Sequence, residues 1–515
     1  MLTCGAISSR ADVLRAKKSL CRKHGLARVP ANYELLALVP GGIRGDVEHL
    51  LRNKPVRTAS GVAPVAVMTS PADCPHGRCS YCPGGVPNSS PQSYTGREPA
   101  ALRASMHGFD PYDQTKARLE QLFAIGHRTD KVDLIIMGGT FTARPVDYQE
   151  WFVKRCFDAM NGCDAPDLAS SQEANETARS RCTGLTVETR PDWFRREHVE
   201  RAISLGATKV ELGVQVLDDR VLEGVKRGHG VEAVTEATAL AKEAGLKVCY
   251  HIMPGLPGST AEGDMRSFAL MFSDERFRPD MLKIYPTLVV KGTELYDWWR
   301  DGRYEPMSLE GSVVLIEQMK KATPRWVRIL RVQRDIPVQL IEAGVRKGHL
   351  REIVAEHLAL KDKRCPCIRC MEAGHRGVPG RGDAGAGLTI EDDSYRASGG
   401  TESFISASSE DDDCLVGYAR LRLSDREGMS RARLRELHVY GEMVPLDEGP
   451  DGRWQHRGIG ARLLSLCESK AADAGFDGLF VTSGVGVRDY YRRLGYEREG
   501  MYMVKKLTTR GTSTV

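Results

Sequence analysis

Six of the chain's 14 cysteines fall in two short runs, each dense enough to bind a metal. Cys74, Cys79 and Cys82 stand in C-P-H-G-R-C-S-Y-C, directly after the apolar run VAPVAVM. Three thiolates in one loop can hold three irons of a [4Fe–4S] cluster and leave the fourth iron open to a small chelating ligand. The same loop would suit zinc if His76 supplied a fourth donor. Cys365, Cys367 and Cys370 form C-P-C-I-R-C, a spacing that fits tetrahedral zinc. His375 is the nearest further donor there, with Cys4, Cys21 and His24 available from a distance; three unligated thiols are the competing reading. A third site is rich in glycine. Gln455, Gly458 and Gly460 make Q-x-x-G-x-G between the strand-like LRELHVY and the helix-like ARLLSLCESKAADAG. Strand, glycine turn and helix start is an arrangement in which backbone N–H groups and the helix dipole hold a pyrophosphate.

The elements that must position these groups show in the hydrophobic pattern. Six β-rich runs, VAPVAVMTSP, VDLIIMGG, GLTVETR, TKVELGVQ, LKVCYHIMPG and MLKIYPTL, alternate with helical stretches. Such alternation implies a parallel sheet covered by helices, here a partial (βα)6 barrel with its chemistry at the strand C-termini. A second α/β unit begins near residue 396. Residues 371–394 read as a Gly-rich linker and 406–413 as a loop. The expected division is a basic helical region (1–60), a barrel (61–325), a zinc-containing junction with linker (326–395), and the second α/β domain (396–515).

Residues 1–60 hold 11 Lys/Arg against four Asp/Glu, while the whole chain carries only +5. That excess is either a phosphate-binding surface or a solvated helix face. The N-terminus lacks the apolar core of a signal peptide, and no run is long enough to span a bilayer. A cytoplasmic protein without a membrane partner is therefore expected, in which clustered thiols are metal ligands rather than disulfides.

Longer segments carry a resemblance. Y-C-P-G-G, Q-S-Y-T-G-R-E-P, D-K-V-D-L-I-I-M-G-G-T-F, T-V-E-T-R-P-D, V-E-L-G-V-Q, R-G-H, L-K-I-Y-P-T-L-V and R-V-Q-R-D-I-P look like the catalytic subunit of Elongator, a radical S-adenosylmethionine (SAM) enzyme. The C-x4-C-x2-C spacing departs from the superfamily's usual C-x3-C-x2-C, and that family has an unusual spacing of its own. Q-x-x-G-x-G and D-Y-Y-R-R-L-G-Y resemble the GNAT acetyltransferases. The resemblance implies a radical SAM barrel followed by a GNAT domain, with a [4Fe–4S] cluster, SAM, acetyl-CoA and zinc. It implies carboxymethylation at C5 of a tRNA wobble uridine, the anticodon stem-loop being the partner.

By the same resemblance Gly138, Gly139, Thr140, Glu188 and Gln215 meet the SAM-side cofactor, and Glu211 and His251 also point into the barrel mouth. Lys283 and Tyr285 stand nearest the chemistry. Glu436, Leu437, His438, Val439, Gln455, Gly458, Ile459, Gly460, Ala461, Tyr491 and Lys131 take acetyl-CoA, and Tyr490 or Tyr491 protonates a leaving thiolate. Lys17, Lys18, Arg22, Lys23 and Arg28 grip tRNA. The second Cys run resembles one in archaeal and bacterial members, which points to a chain acting without a multi-subunit Elongator, alone or as a homodimer. The rivals are a protein lysine acetyltransferase with the barrel as scaffold, and a non-enzymatic tRNA-binding subunit.

Overall fold

A computed structural model describes residues 7–377, 387–411, 413–426, 428, 430–441 and 458–508. Three helices open the chain: α1 (Arg10–His24), α2 (Asn32–Leu38) and α3 (Gly41–Leu51). They close on a small core of Ile7, Val13, Leu36, Leu50 and Leu51. The Ser9 side chain and Asp12 cap α1 reciprocally, and Gly25 ends it at a φ of 61°.

The central sheet is parallel. Its strands β1 (Ala63–Met68), β2 (Lys131–Met137), β3 (Arg181–Thr189), β4 (Lys209–Gln215), β5 (Lys247–Ile252), β6 (Met281–Ile284) and β7 (Arg328–Val332) follow one another in chain order. Register explains the division of labour. Val65, Leu134, Leu185, Val210, Val248, Leu282 and Ile329 point to the helices, and all are 0% exposed. Alternate residues point inward, and many are polar: Asp133, Thr186, Glu188, Lys209, Glu211, His251 and Lys283. The outer face holds the sheet; the inner face is left for chemistry.

A second sheet contains β8 (Leu388–Arg396), β9 (Gly400–Ser409), β10 (Cys414–Ser424), β11 (Arg431–Val439), β12 (Gly478–Val481), β13 (Glu497–Glu499) and β14 (Tyr502–Lys506), in the order β8-β9-β10-β11-β12-β14-β13. Helix α4 (Ile459–Asp473) packs on β9 to β12. β11 and β12 pair in parallel from Arg431↔Gly478 to Leu434↔Val481 and then part.

This domain docks on the N-terminal ends of the barrel strands. Arg435 is 0% exposed and donates to the Asp280 carboxylate (3.0 Å), to Glu402 (2.8 Å) and to the Leu246 carbonyl (2.8 Å). Arg420 reaches the Trp326 carbonyl at 2.7 Å, and Arg488 pairs with Glu176 at 2.9 Å. Gly484 lies so close to the Thr183 carbonyl that any Cβ there would run into it. None of the described helices is long and apolar enough to cross a membrane.

Four expectations change. A seventh strand, β7, pairs in parallel with β6 although it lies in the segment assigned to the junction; its five residues were too short a run to stand out beside the cysteines. Residues 388–395 belong to β8, so the second domain begins before 396. Leu388 and Ile390 pack on the core while acidic residues decorate an exposed edge, which hides the alternation. Met371 and Ala373–Arg376 are helical, and the rest of the expected linker, 378–386, lies outside the described residues. Ser406–Ser409 continues β9, so the expected loop shrinks to its tip.

Candidate functional site

Two clefts lie at opposite ends of the barrel sheet. The upper one sits at the strand C-termini. Cys74, Cys79 and Cys82 lie on the loop after β1, where the sheet hands over to irregular backbone. Cys79 and Cys82 are buried. Their sulfurs already face donors: the Ser93 amide is 3.2 Å from Cys82 Sγ, His76 Nε2 is 3.2 Å and Arg227 Nη1 3.7 Å from Cys79 Sγ, and Thr140 Oγ1 is 3.4 Å from Cys74 Sγ. The three sulfurs do not gather within 4.8 Å of one another. A tetrahedral zinc would need S···S separations of roughly 3.8 Å, from Zn–S bonds of about 2.3 Å. The wider spread suits a cluster better than a single ion, and N–H donors to sulfur are how proteins tune such clusters.

Gly138 and Gly139 carry the chain from β2 past this loop at φ of 130° and 95°. A Cβ on Gly138 would strike Thr69, so the turn is open only to glycine. Across the cleft a polar cluster rises from the inner sheet face. Lys283 bonds Glu211 closely and lies 3.4 Å from Glu188. His251 Nε2 is 2.9 Å from Glu211, Lys209 is 3.4 Å from the other Glu211 oxygen, and Tyr94 donates to Glu188 at 2.8 Å. Burial works against the Lys283 charge, but Glu211, Tyr285 and Glu188 outweigh it and hold the ammonium well above its usual pKa. Burial likewise opposes the Glu211 carboxylate, and Lys283 and Lys209 hold it ionised. The Tyr285 ring stands edge-on to His251, centroids 5.5 Å apart. Gln215 sits at a φ of 72° with its side-chain oxygen buried and unpartnered. That is a polar group lacking its ligand.

The lower cleft opens where β11 and β12 part. One wall is the backbone of Glu436 to Val439; another is Gly458 to Ala461 at the start of α4; the barrel supplies Gly61, Lys131, Thr183, Thr208 and Lys247. Gly458 caps the helix at a φ of 79°, and Gly458 to Ala461, whose first-turn N–H groups lack an intrahelical acceptor, line the cleft. A Cβ on Gly460 would sit 2.9 Å from the Tyr490 hydroxyl. Tyr490 and Tyr491 come from α5 (Arg488–Arg492), with ring centroids 5.2 Å apart. Burial pushes the Tyr490 hydroxyl up to about 12 and Tyr491 higher still, so both keep their protons at neutral pH.

Four family models match the chain in succession. They are the ELP3 N-terminal domain at residues 3–59, the radical SAM superfamily at 69–269, the radical SAM C-terminal domain at 279–359, and the acetyltransferase (GNAT) family at 383–496. A tRNA uridine(34) acetyltransferase of Methanocaldococcus jannaschii is 48% identical over 93% of this chain and 90% of its own length. One from Dehalococcoides mccartyi is 48% identical over 88% of this chain and 99% of its own. Elongator complex protein 3 of Homo sapiens is 40% identical over 96% and 93%. The solved Methanocaldococcus infernus Elp3 with residues 1–46 deleted superposes with a TM-score of 0.76 at 43% identity, covering 87% of this chain and all of that one. The chain belongs to the Elongator complex protein 3 family.

Against that family the candidate residues divide. Gly139, Thr140, Glu188, Gln215 and Tyr285 line the upper cleft with Cys74 and Cys79, and Lys283 lies beneath them on Glu211. Lys131, named through the resemblance alone, lines the lower cleft with Glu436, Leu437, His438, Val439, Gly458, Ile459, Gly460, Ala461, Tyr490 and Tyr491. Gln455 lies outside the described residues. On α1, Lys18, Arg22 and Lys23 are exposed. Two basic candidates are already engaged: Lys17 donates to Asn32 at 2.8 Å, and Arg28 pairs with Glu34 at 2.8 Å. Their partners lie 15 and six residues away, so charge counting missed them.

Cys365, Cys367 and Cys370 gather within 4.8 Å of one another. His375 does not join them; its Nε2 is 3.1 Å from Glu372 instead. Lys320 Nζ stands 3.8 Å from Cys370 Sγ, so an ammonium flanks the thiols. Cys21 is turned to the Arg28 carbonyl, and Cys4 lies outside the described residues.

Sequence reasoning missed Tyr94, Arg227, Lys247 and Thr208. Lys247 is the first residue of β5 and Thr208 immediately precedes β4, whereas Tyr94 and Arg227 lie in loops, inside the Q-S-Y-T-G-R-E-P and R-G-H segments that carried the resemblance without being singled out.

Proposed function

We propose that this chain carboxymethylates C5 of the tRNA wobble uridine, using a [4Fe–4S] cluster with SAM in the upper cleft and acetyl-CoA in the lower one. The observation that carries the reading is the presence of both clefts on one barrel, each with the donors its cofactor needs. Bound there, the cluster and SAM would supply a deoxyadenosyl radical able to activate the acetyl methyl group, which ordinary acid–base chemistry leaves inert.

The chain's own residues do the rest. Cys74, Cys79 and Cys82 hold the cluster, and the Gly138–Gly139 turn lets backbone approach SAM. Gln215 and Glu188 orient the SAM side. Lys283 stays an ammonium at the cleft floor, fixing Glu211 and His251 in place. The loops above the strands keep water from the reacting groups. In the lower cleft the start of α4 takes the pyrophosphate, and Tyr490 or Tyr491 gives a proton to the departing thiolate. Lys18, Arg22 and Lys23 meet the anticodon stem-loop backbone. The chain acts in the cytoplasm, alone or as a homodimer. Zinc at Cys365, Cys367 and Cys370 is structural, its fourth donor coming from water or from a residue such as Cys4.

Protein lysine acetylation fits less well. A peptide amine needs open access to the thioester, and here the barrel itself walls the lower cleft. The deciding experiment incubates cluster-reconstituted protein anaerobically with tRNA, reductant, SAM and methyl-labelled acetyl-CoA, followed by nucleoside mass spectrometry. Label in 5-carboxymethyluridine is the expected result. Unmodified tRNA despite demonstrated SAM cleavage would overturn it.

A further inference from the structure

The two clefts share no lining residue, and they sit at opposite ends of the same strands. Lys131 at the start of β2 walls the lower one, and Met137 at its end walls the upper. Six residue steps at about 3.3 Å each put roughly 20 Å between them. If acetyl-CoA and SAM bind as proposed above, the acetyl methyl must cover that distance to meet the radical.

The inner face of the first two strands leaves room for it. On β1 the outward residues Ala63, Val65 and Val67 are 0% exposed, whereas inward Pro64 and Ala66 are only partly buried. On β2, outward Val132, Leu134 and Ile136 are 0% exposed, whereas inward Lys131, Asp133, Ile135 and Met137 are all partly buried. Partly exposed inward residues thus follow one another along β2 from the lower cleft to the upper one, while on β1 the row stops at Met68, which is 0% exposed. The opposite wall is filled: Lys209, Glu211, Cys249 and Lys283 are buried and, apart from the thiol, locked in ion pairs. The accessible inward positions include two small residues, Pro64 and Ala66, and beside Pro64 stands Asp133, whose carboxylate can accept an amide hydrogen bond. Of the parts of acetyl-CoA, the slender arm with two amides and a thioester at its tip is the one that a row of such positions one strand long suits.

We infer that the barrel lumen beside β1 and β2 is the passage through which the acylated pantetheine arm reaches the SAM-side cleft, while the nucleotide end stays at the start of α4. This rests on the proposed placement of the two cofactors.

The test uses the full reconstituted chain. Ala66→Cys and Ile135→Cys place thiols along the passage. Bromoacetyl-CoA is the probe: the thiolate attacks its methylene carbon, a C–S bond forms, the C–Br bond breaks and bromide leaves. Peptide mapping should show both sites alkylated at least about tenfold faster than by bromoacetamide at equal concentration, because the bound arm raises the local concentration of electrophile. Excess CoA should suppress that advantage. Equal rates for the two reagents, or indifference to CoA, would overturn the passage. A second variant, Ala66→Trp, fills the lumen. Deuterium transfer from methyl-deuterated acetyl-CoA into 5′-deoxyadenosine should fall by about 10²-fold, the scale set by misplacing a reacting group. Acetyl-CoA affinity and total 5′-deoxyadenosine should stay within about twofold of the parent, since both clefts are untouched. Undiminished transfer would also sink the inference. A parent chain that binds no acetyl-CoA in the lower cleft would overturn the functional reading, and the passage with it.

Discussion

The two ends of the barrel are built from different materials. The upper cleft depends on side chains: thiols from the loop after β1, carboxylates from β3 and β4, and an ammonium from β6. The lower cleft depends on main chain: a parted strand pair, a glycine-capped helix start and the blunt ends of barrel strands. Chemistry that creates a reactive species needs charges fixed in advance, because each buried ion is tolerable only beside its partner. Holding a nucleotide needs free N–H groups and close approach, which glycine provides. The upper end should therefore fail abruptly on substitution, the lower end by degrees.

The largest effect tests the abrupt side. Cys79→Ala should reduce reconstituted iron and the visible cluster absorption sharply and bring tRNA modification to background, while acetyl-CoA binding by calorimetry is unchanged. Loss of both would dissolve the contrast between the ends. Lys283→Met comes next. It leaves Glu211 buried with only Lys209 and His251 beside it, and should lower stability by roughly 3–5 kcal/mol. Chemical denaturation measures the loss, and a double variant with Glu211→Gln should recover part of it. On the lower side, Gly460→Ala should raise the acetyl-CoA dissociation constant by about tenfold, as a Cβ crowds the Tyr490 hydroxyl. SAM cleavage should hold; a collapse there would show the ends are not independent. The smallest effect belongs to the surface. Lys18→Glu with Lys23→Glu should weaken tRNA binding by about tenfold at low salt and flatten its salt dependence. The same reversal at Lys17 or Arg28 should do less to binding and more to α1, since these two are tied to Asn32 and Glu34.

Legibility in the sequence followed range. The six strands, the first cysteine loop and the glycine turn are local patterns, and each stands where its residues implied. The seventh strand and the start of β8 escaped because one is five residues long and the other disguises its core face with acidic neighbours. What lay beyond reach was placement. Nothing within LRELHVY states that the barrel supplies the other wall of its cleft, nor that Lys247 faces Glu436 from another domain. Lys131 came from resemblance, not from its own neighbourhood. The fourth donor to the second Cys run stayed open in the sequence for the same reason: His375, the nearest candidate, is close to Cys370 along the chain and turned to Glu372 in space.

The Arg435–Asp280–Glu402 triad has a consequence for the chain's history as a unit. Two of its charges belong to the second domain and one to the first, and water reaches none of them appreciably. Cut between the domains, the first half would bare Asp280 with Lys242 as its remaining partner at 3.8 Å, and the second would bare Arg435 held by Glu402. Such pieces cannot be exchanged or inherited piecemeal without first rebuilding that triad, and in calorimetry the intact chain should melt in one transition rather than two.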